Sequence, residues 1–184
     1  VIFRLKKMPD DFLDMFFTLP TEEDAVLFHQ YMSDFYKGDL SQITALEYFG
    51  FNCQIYMDHR EALFNDKSQV GIYFQVPLYN QTVEEVAGDW LVIIAKSDCG
   101  IQEEGILLLN NPQNWRTFFE ARHSIPSNAL DKTHRLDTWS ILTDTIVPPE
   151  NFPKFLEATH TLLQDADIEY LLFGHLGDCH LHFH

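Results

Sequence analysis

Two strand-like apolar segments follow one another at the start of this chain before any helical pattern begins. Val1–Lys6 alternates roughly between apolar and polar residues, Phe12–Leu19 is a longer apolar run, and Pro9 and two aspartates separate them. Proline and aspartate are typical of turns. Two successive strands break the strict strand–helix alternation of a parallel α/β sheet. The pattern therefore indicates an α+β fold with a mostly antiparallel sheet.

Helical segments are marked by capping residues and by the spacing of apolar residues. Thr21 and Thr82 each precede acidic residues and an apolar face, and Asn111 precedes a proline that suits a first helical turn. A further helix is predicted over Glu150–Gln164. The predicted strands are Val70–Leu78, Ile106–Leu109, Thr138–Val147 and Glu169–Phe173, while Ile43–Phe51 is apolar without a clear period. We expect the helices to be layered on one face of the sheet.

Length and composition fit a single folded domain. The 184 residues are 46% hydrophobic and include 16 phenylalanines, and no flexible linker or low-complexity segment interrupts them. A chain of this size buries roughly 70% of the surface that it exposes when unfolded. Because no apolar run reaches the roughly 18 residues that a membrane span needs, we expect no membrane-spanning segment.

Charge and cysteine content narrow the choice of partners and compartment. The formal net charge is −16, from 28 acidic and 12 basic residues. This balance disfavours nucleic acids and anionic membrane surfaces, which attract basic faces. The three cysteines (Cys53, Cys99 and Cys179) are widely spaced, so no disulfide framework follows. We expect a reducing, cytoplasmic location, with a peripheral position at the inner membrane as the alternative.

The C-terminal run of eleven residues, Gly174–His184, holds four of the nine histidines around a Gly-Asp turn. If the run after the turn is a strand, its alternation places His180, His182 and His184 on one face. His175 precedes the turn and can fold back, so His175 and His182 are compatible with two ligands of one zinc-like ion. The alternative is that they are partly exposed strand residues or core residues with satisfied hydrogen bonds.

Three other side chains deserve a functional hypothesis. Arg122 is expected on the apolar side of its helix, where a guanidinium needs an anionic partner, either a structural carboxylate or a bound one. Asp144 reads as a turn or capping carboxylate near a strand end. Cys179 could join His182 as a metal ligand or be an inert thiol. The scattered histidines need only surface or packing roles: His29, His59, His123, His134 and His160.

The run from Phe173 to His182 reads FGHLGDCHLH and resembles the G-H-x-G-D-G-N-x-H signature of the FAD-linked oxidases. These are flavoproteins of the vanillyl-alcohol-oxidase type, which include D-lactate, glycolate and D-2-hydroxyglutarate dehydrogenases. The resembling segments extend over nearly the whole chain: Val1–Pro9, the helix ending at Arg122, and Asp144–Pro153 with the terminal motif. The resemblance implies a ferredoxin-like-type cap domain on the substrate side of the flavin. It also implies that the FAD-binding domain is a separate part of the same polypeptide, absent from this chain, and that this domain is C-terminally truncated.

The resemblance also implies roles for individual residues. His175 and His182 match the histidines that bind zinc or a similar ion in the metal-dependent members, and His182 is the expected catalytic residue. Arg122 matches the arginine that binds the substrate carboxylate, and His184 takes the place of an asparagine near the substrate. His180 lies at a position expected to contact the cofactor. The implied reaction is oxidation of a 2-hydroxy acid, with loss of the hydroxyl proton to a base and of the Cα hydride to FAD.

Three departures from the signature leave alternatives open. Cys179 and His180 replace Gly-Asn, and Leu142 stands where some members have a substrate-contacting lysine. A Glu-His-Gly segment that supplies a third metal ligand in some members would lie beyond His184. The alternatives are the same fold without a metal, in which a motif histidine acts beside the flavin, and a non-catalytic domain that has lost activity.

Overall fold

The computed structural model describes residues 7–184. The strand predicted at Val1–Lys6 lies outside the described residues. The described strands are β1 (Asp11–Leu19), β2 (Ala45–Phe49), β3 (Val70–Leu78), β4 (Leu107–Leu108), β5 (Thr145–Ile146), β6 (Leu172–His175) and β7 (His180–Phe183). The described α-helices are α1 (Glu22–Phe35), α2 (Val83–Lys96), α3 (Pro112–Arg135) and α4 (Phe152–Asp165).

All seven described strands form one sheet in the order β4-β1-β3-β2-β6-β7-β5, and every neighbouring pair is antiparallel. The longest pairing joins β1 to β3 from Asp11 opposite Leu78 to Leu19 opposite Val70. The α+β class and the antiparallel sheet are therefore confirmed. The strand predicted at Val70–Leu78 has the observed bounds of β3.

The helices begin where capping residues satisfy their first backbone N–H groups. Thr21 and Thr82 each form a capping box, with Asp24 and Glu85 as the reciprocal partners. Asn111 accepts a hydrogen bond from the backbone N–H of Asn114 at the start of α3. These three predicted helix starts are confirmed.

The two faces of the sheet are covered differently. One face packs against α1, α2 and α4 around a core that includes Phe28, Trp90 and Leu156. The other face packs against α3 around a second core that includes Phe16 and Phe118. Most of the described helices thus share one face, as expected, and α3 adds a layer on the opposite face.

Two strand predictions differ from the structure. Of the segment predicted at Thr138–Val147, the structure pairs Thr145–Ile146 as a strand, and Trp139 and Ile141 are exposed instead of packed. An apolar alternation without a neighbouring strand to bond to does not form a ladder. The strand predicted at Glu169–Phe173 is shifted to Leu172–His175, which places the first motif histidine inside the sheet.

No helix among the described residues is both long enough and apolar enough to cross a membrane. Cys53, Cys99 and Cys179 are all buried and free of disulfide bonds. This agrees with the expectation that the cysteines form no disulfide framework.

Candidate functional site

The register of the sheet aligns polar side chains from four strands in one row. Tyr73 on β3 lies opposite Glu47 on β2, Glu47 lies opposite His175 on β6, and His175 lies opposite His180 on β7. Residues directly opposite one another point to the same face of a sheet. This row lies on the face that carries α3, because Tyr73 belongs to the core beneath that helix. We call these residues the polar row.

The last two strands form a tight hairpin around the Gly-Asp turn. Leu176–Asp178 is a short 3₁₀ turn, and Cys179 follows in the left-handed conformation with φ of 50°. Gly174 has φ of 143°, and a Cβ atom there would lie 2.8 Å from the carbonyl oxygen of His180. Glycine is therefore required at residue 174 for the strands to approach each other. The predicted bend between His175 and His182 is confirmed.

The hairpin brings three motif imidazoles together. The ring centroids of His175 and His182 are 5.5 Å apart, those of His175 and His180 are 5.4 Å apart, and those of His180 and His182 are 4.9 Å apart. The predicted convergence of His175 and His182 is met, and His180 joins them. Alternation along β7 places His180 and His182 on the same face.

Carboxylates on neighbouring elements contact each of these imidazoles. Glu47 Oε1 lies 2.6 Å from His175 Nδ1. One oxygen of Asp144, Oδ1, lies 3.1 Å from His180 Nε2 and 2.6 Å from His182 Nδ1. Asp144 precedes β5, which pairs with β7, so the sheet itself brings this carboxylate to the histidines. The hydrogen bond with His180 lowers the pKa of Asp144, and the charge of His182 lowers it further. Asp144 thus contacts two of the motif histidines and belongs to the candidate site.

Arg122 lies near the polar row but on the exposed side of α3. The buried stripe of α3 runs through Phe118, Ala121 and Ile125, so the guanidinium does not point inward as expected. Within residues 7–184 the structure contains no ion pair of Arg122 with a carboxylate. Burial and a 2.5 Å hydrogen bond to Asp14 raise the pKa of Tyr73, and the positive charge of Arg122 partly opposes this rise.

His184 occupies a separate position at the end of β7. Its backbone exchanges two hydrogen bonds with Leu171, each 2.9 Å long. Its side chain lines a cavity of about 390 Å³ together with Lys132, Trp139 and Phe183. His175 lines a different cavity, of about 440 Å³, with Glu47 and His29. Partial burial lowers the pKa of His184.

Cys179 faces away from the motif histidines. Its side chain packs in the core beneath α1, α2 and α4, and its Sγ lies 3.7 Å from Nε2 of the buried His29. Burial raises the pKa of the Cys179 thiol to about 11, so the thiol stays protonated near neutral pH. This geometry supports the inert-thiol alternative and removes Cys179 from the ligands beside His182.

Two residues at the site carry no signal in the sequence that identifies them. Glu47 lies in the apolar segment Ile43–Phe51, where an isolated acid is ambiguous. His29 lies on the buried face of α1 and contacts the terminal turn through Cys179. Only the strand register and the helix packing bring these residues to a motif more than 100 positions away.

A family model described as "FAD linked oxidases, C-terminal domain" matches residues 73–184, which is more than half of the chain. The chain belongs to this family. The matched range begins within β3 and contains Tyr73, Arg122, Asp144 and the terminal hairpin, whereas Glu47 lies outside it. The predicted family is confirmed.

The structural likeness to a solved protein extends beyond the matched range. A solved structure titled "alkyldihydroxyacetonephosphate synthase in P1" superposes on 97% of this chain with a TM-score of 0.60 and 16% sequence identity. At this sequence identity, the structural likeness shows only that the two proteins share a fold. The chain spans 36% of the length of that protein. No match was found among curated proteins.

Proposed function

We propose that this FAD-oxidase C-terminal domain forms the substrate side of an FAD-dependent oxidoreductase that oxidises a 2-hydroxy acid. The observation that carries the proposal is the hairpin that gathers His175, His180 and His182 beside carboxylates on the α3 face of the sheet. Such clusters of titratable groups on a rigid scaffold are typical of sites of proton transfer. The FAD-binding domain would be another part of the same polypeptide.

The groups at the end of the sheet fit contact with a flavin held elsewhere. The side chains of His175, His180 and Asp144 are 48%, 28% and 71% exposed, so their polar atoms remain available to a partner domain. His180 Nε2 is engaged with Asp144, which leaves Nδ1 and the ring face for the predicted contact with the cofactor. When bound, FAD would supply the two-electron acceptor for the hydride.

Arg122 is the residue proposed to orient the substrate. Its guanidinium is exposed and has no carboxylate partner within the described residues. A planar guanidinium binds a carboxylate through two parallel hydrogen bonds, which fixes both the position and the rotation of a small acid. Holding the carboxylate in this way would direct the substrate Cα toward the flavin, the proximity on which hydride transfer depends.

In the enzyme without a bound metal, His182 is the residue proposed to accept the hydroxyl proton. Its Nδ1 is buried 2.6 Å from the Asp144 carboxylate, so Nε2 is the nitrogen proposed to take the proton. The Asp144 charge would then stabilise the imidazolium that forms. His184 remains a predicted substrate contact at the end of the same strand, and the reducing cytoplasm remains the predicted location, in keeping with the free buried cysteines.

The test uses the flavin-containing protein that carries this domain. Anaerobic mixing with D-lactate, glycolate or D-2-hydroxyglutarate should bleach the flavin absorbance. Arg122→Ala should raise KM for the active acid roughly tenfold or more, since a bidentate pair is lost. Arg116→Ala removes another exposed arginine from α3 and serves as the control. A flavin that no hydroxy acid bleaches, or equal KM values in the two variants, would contradict the proposal.

A further inference from the structure

We propose that Asp144, His180 and His182 form a binding site for a divalent transition-metal ion. Their ligand atoms, one carboxylate oxygen and one nitrogen from each imidazole, all lie within 4.8 Å of one another. The inference concerns a ligand set that differs from the His175–His182 pair expected from the sequence. It requires only these three side chains and does not depend on which substrate the enzyme oxidises.

The spacing of the three atoms suits a small ion. Zinc binds imidazole nitrogen and carboxylate oxygen at about 2.0–2.2 Å, so two ligand atoms of a tetrahedral ion lie roughly 3.4 Å apart. The Asp144 oxygen lies 3.1 Å from His180 Nε2 and 2.6 Å from His182 Nδ1. An increase of less than an ångström in these two separations, with the two imidazole nitrogens (within 4.8 Å of each other) at a similar spacing, would place all three atoms around one ion. Asp144 can supply it because its side chain is 71% exposed.

His182 Nδ1 supplies a second, independent observation. This nitrogen is buried and makes no hydrogen bond of good geometry among the described residues, although the Asp144 oxygen lies 2.6 Å from it. A buried polar atom without a hydrogen bond is costly and is usually satisfied by an ion or a water molecule. A metal bound between Asp144 and His182 would satisfy it.

The sheet holds the three residues on rigid elements. His180 and His182 lie two residues apart on β7 and point to the same face of the sheet. Ile146 of β5 lies opposite His180 in the register. The Thr145 hydroxyl donates a 2.9 Å hydrogen bond to the carbonyl oxygen of Leu181, between the two histidines. Asp144 is therefore anchored by the next residue in the chain, as sites with defined ligand geometry require.

Two imidazoles and one carboxylate select the class of metal. This set suits zinc, iron(II), cobalt(II) or manganese(II), whereas magnesium and calcium prefer oxygen ligands. Three protein ligands leave at least one coordination position open for a small molecule. His175 is not one of the three residues whose ligand atoms lie within 4.8 Å of one another, and its Nδ1 is engaged with Glu47.

The experiment measures cobalt(II) binding by visible absorbance in the chelator-treated flavoprotein, without hydroxy acid. His180→Asn and Asp144→Asn should each weaken binding roughly 100-fold or more, because the first removes a ligand nitrogen and the second replaces a charged carboxylate with a neutral amide. His175→Gln should weaken it less than either of these variants, because it changes none of the three ligand atoms. His123→Asn, an exposed histidine on α3, is the matched control and should change nothing. No binding by the unmodified protein, or loss of binding with His175→Gln but not with His180→Asn, would overturn the proposal.

A crystal of the zinc-loaded, unmodified protein provides a test that needs no variant to fold. An anomalous difference peak should lie about 2.0–2.2 Å from an Asp144 oxygen, His180 Nε2 and His182 Nδ1. A peak coordinated by His175 and not by His180 would refute the site. Flavin bleaching is recorded separately, so zinc at this site without bleaching rejects the proposed substrate class alone. Bleaching without metal rejects the metal site alone.

Discussion

Glu47 on β2 and His175 on β6 lie opposite each other in the sheet, and Glu47 Oε1 is 2.6 Å from His175 Nδ1. Such a pairing fixes the ring orientation and places the proton on Nδ1, which leaves Nε2 as the free nitrogen. A residue from the N-terminal part of the chain therefore orients the first histidine of the terminal motif.

Replacing Glu47 tests this orientation. Glu47→Ala should reduce the free energy of unfolding by about 0.5–1 kcal/mol, a small effect because His175 is half exposed and solvent screens the pair. Glu47→Gln should lose less, since its amide oxygen can still accept the Nδ1 hydrogen. Urea denaturation measures both, with the exposed Glu120→Ala on α3 as the control. Equal losses for Glu47→Ala and Glu120→Ala would show that the pair contributes nothing.

Gly174 should not tolerate a side chain. Gly174→Ala would place a Cβ atom 2.8 Å from the His180 carbonyl oxygen at a φ of 143°, so we expect a loss of roughly 2–4 kcal/mol. Gly88→Ala in α2 is the matched control, because a Cβ atom there meets nothing within 4 Å. That variant should gain about 0.5–1 kcal/mol from helix propensity. Thermal unfolding of both proteins gives the comparison, and a neutral Gly174→Ala would contradict the close approach of the strands.

Glu22 should matter far more than its neighbour Glu23. Glu22 accepts a 2.6 Å hydrogen bond from the buried Tyr48 hydroxyl and lies 2.7 Å from His160 Nε2, and His160 contacts Tyr170 in turn. Glu22→Ala leaves a buried phenol without a partner and should cost roughly 2–4 kcal/mol.

Glu23→Ala removes the same charge from the same first turn of α1, but at an exposed position, which makes it a control for the helix dipole. We expect it to cost less than about 1 kcal/mol. The denaturant midpoints of Glu22→Ala and Glu23→Ala are compared to test this difference. Similar midpoints would mean that the Tyr48–Glu22–His160 contacts add no net stability.

His29 should make the protein sensitive to acid. Burial lowers the pKa of His29, so the unfolded chain binds a proton that the folded chain rejects. The contribution of uncharged His29 to the free energy of unfolding is fully present above pH 6.5. It is lost as the pH falls from 6.5 toward the lower pKa of the folded state, by up to about 1.4 kcal/mol per pH unit. His29→Gln should flatten the stability profile between pH 7 and pH 5 relative to His123→Gln, an exposed control. Parallel profiles for the two variants would exclude this linkage.

Local signals in the sequence predict much of the fold. Capping threonines define the starts of α1 and α2, and a mostly apolar run defines β3 at its observed bounds. The alternation of the terminal run likewise predicts that His180 and His182 share a face. These features depend on neighbours in the chain, so the sequence contains what determines them.

Local sequence patterns do not predict features that depend on contacts between residues far apart in the chain. The apolar alternation of Thr138–Val147 suggests a long strand, yet its partner β7 bonds to only part of it. The position of Arg122 relative to the apolar residues of α3 predicts that it lies on the buried face of the helix. The smaller Ala121 and Ile125 occupy that face instead. Glu47 reaches His175 only because β2 pairs with β6. Strand order and helix placement decide these outcomes, and no short pattern encodes them.

The α3 face of the sheet contains two environments in one row across the strands. Phe16 packs against Phe118 at the β1 end of this row, and the row ends in His175 and His180 on β6 and β7. Substitutions at the histidine end can therefore change reactivity while the aromatic end preserves the architecture. Evolution of new specificities in such a domain would proceed through the open end, and directed-evolution libraries confined to it should retain a high fraction of folded members.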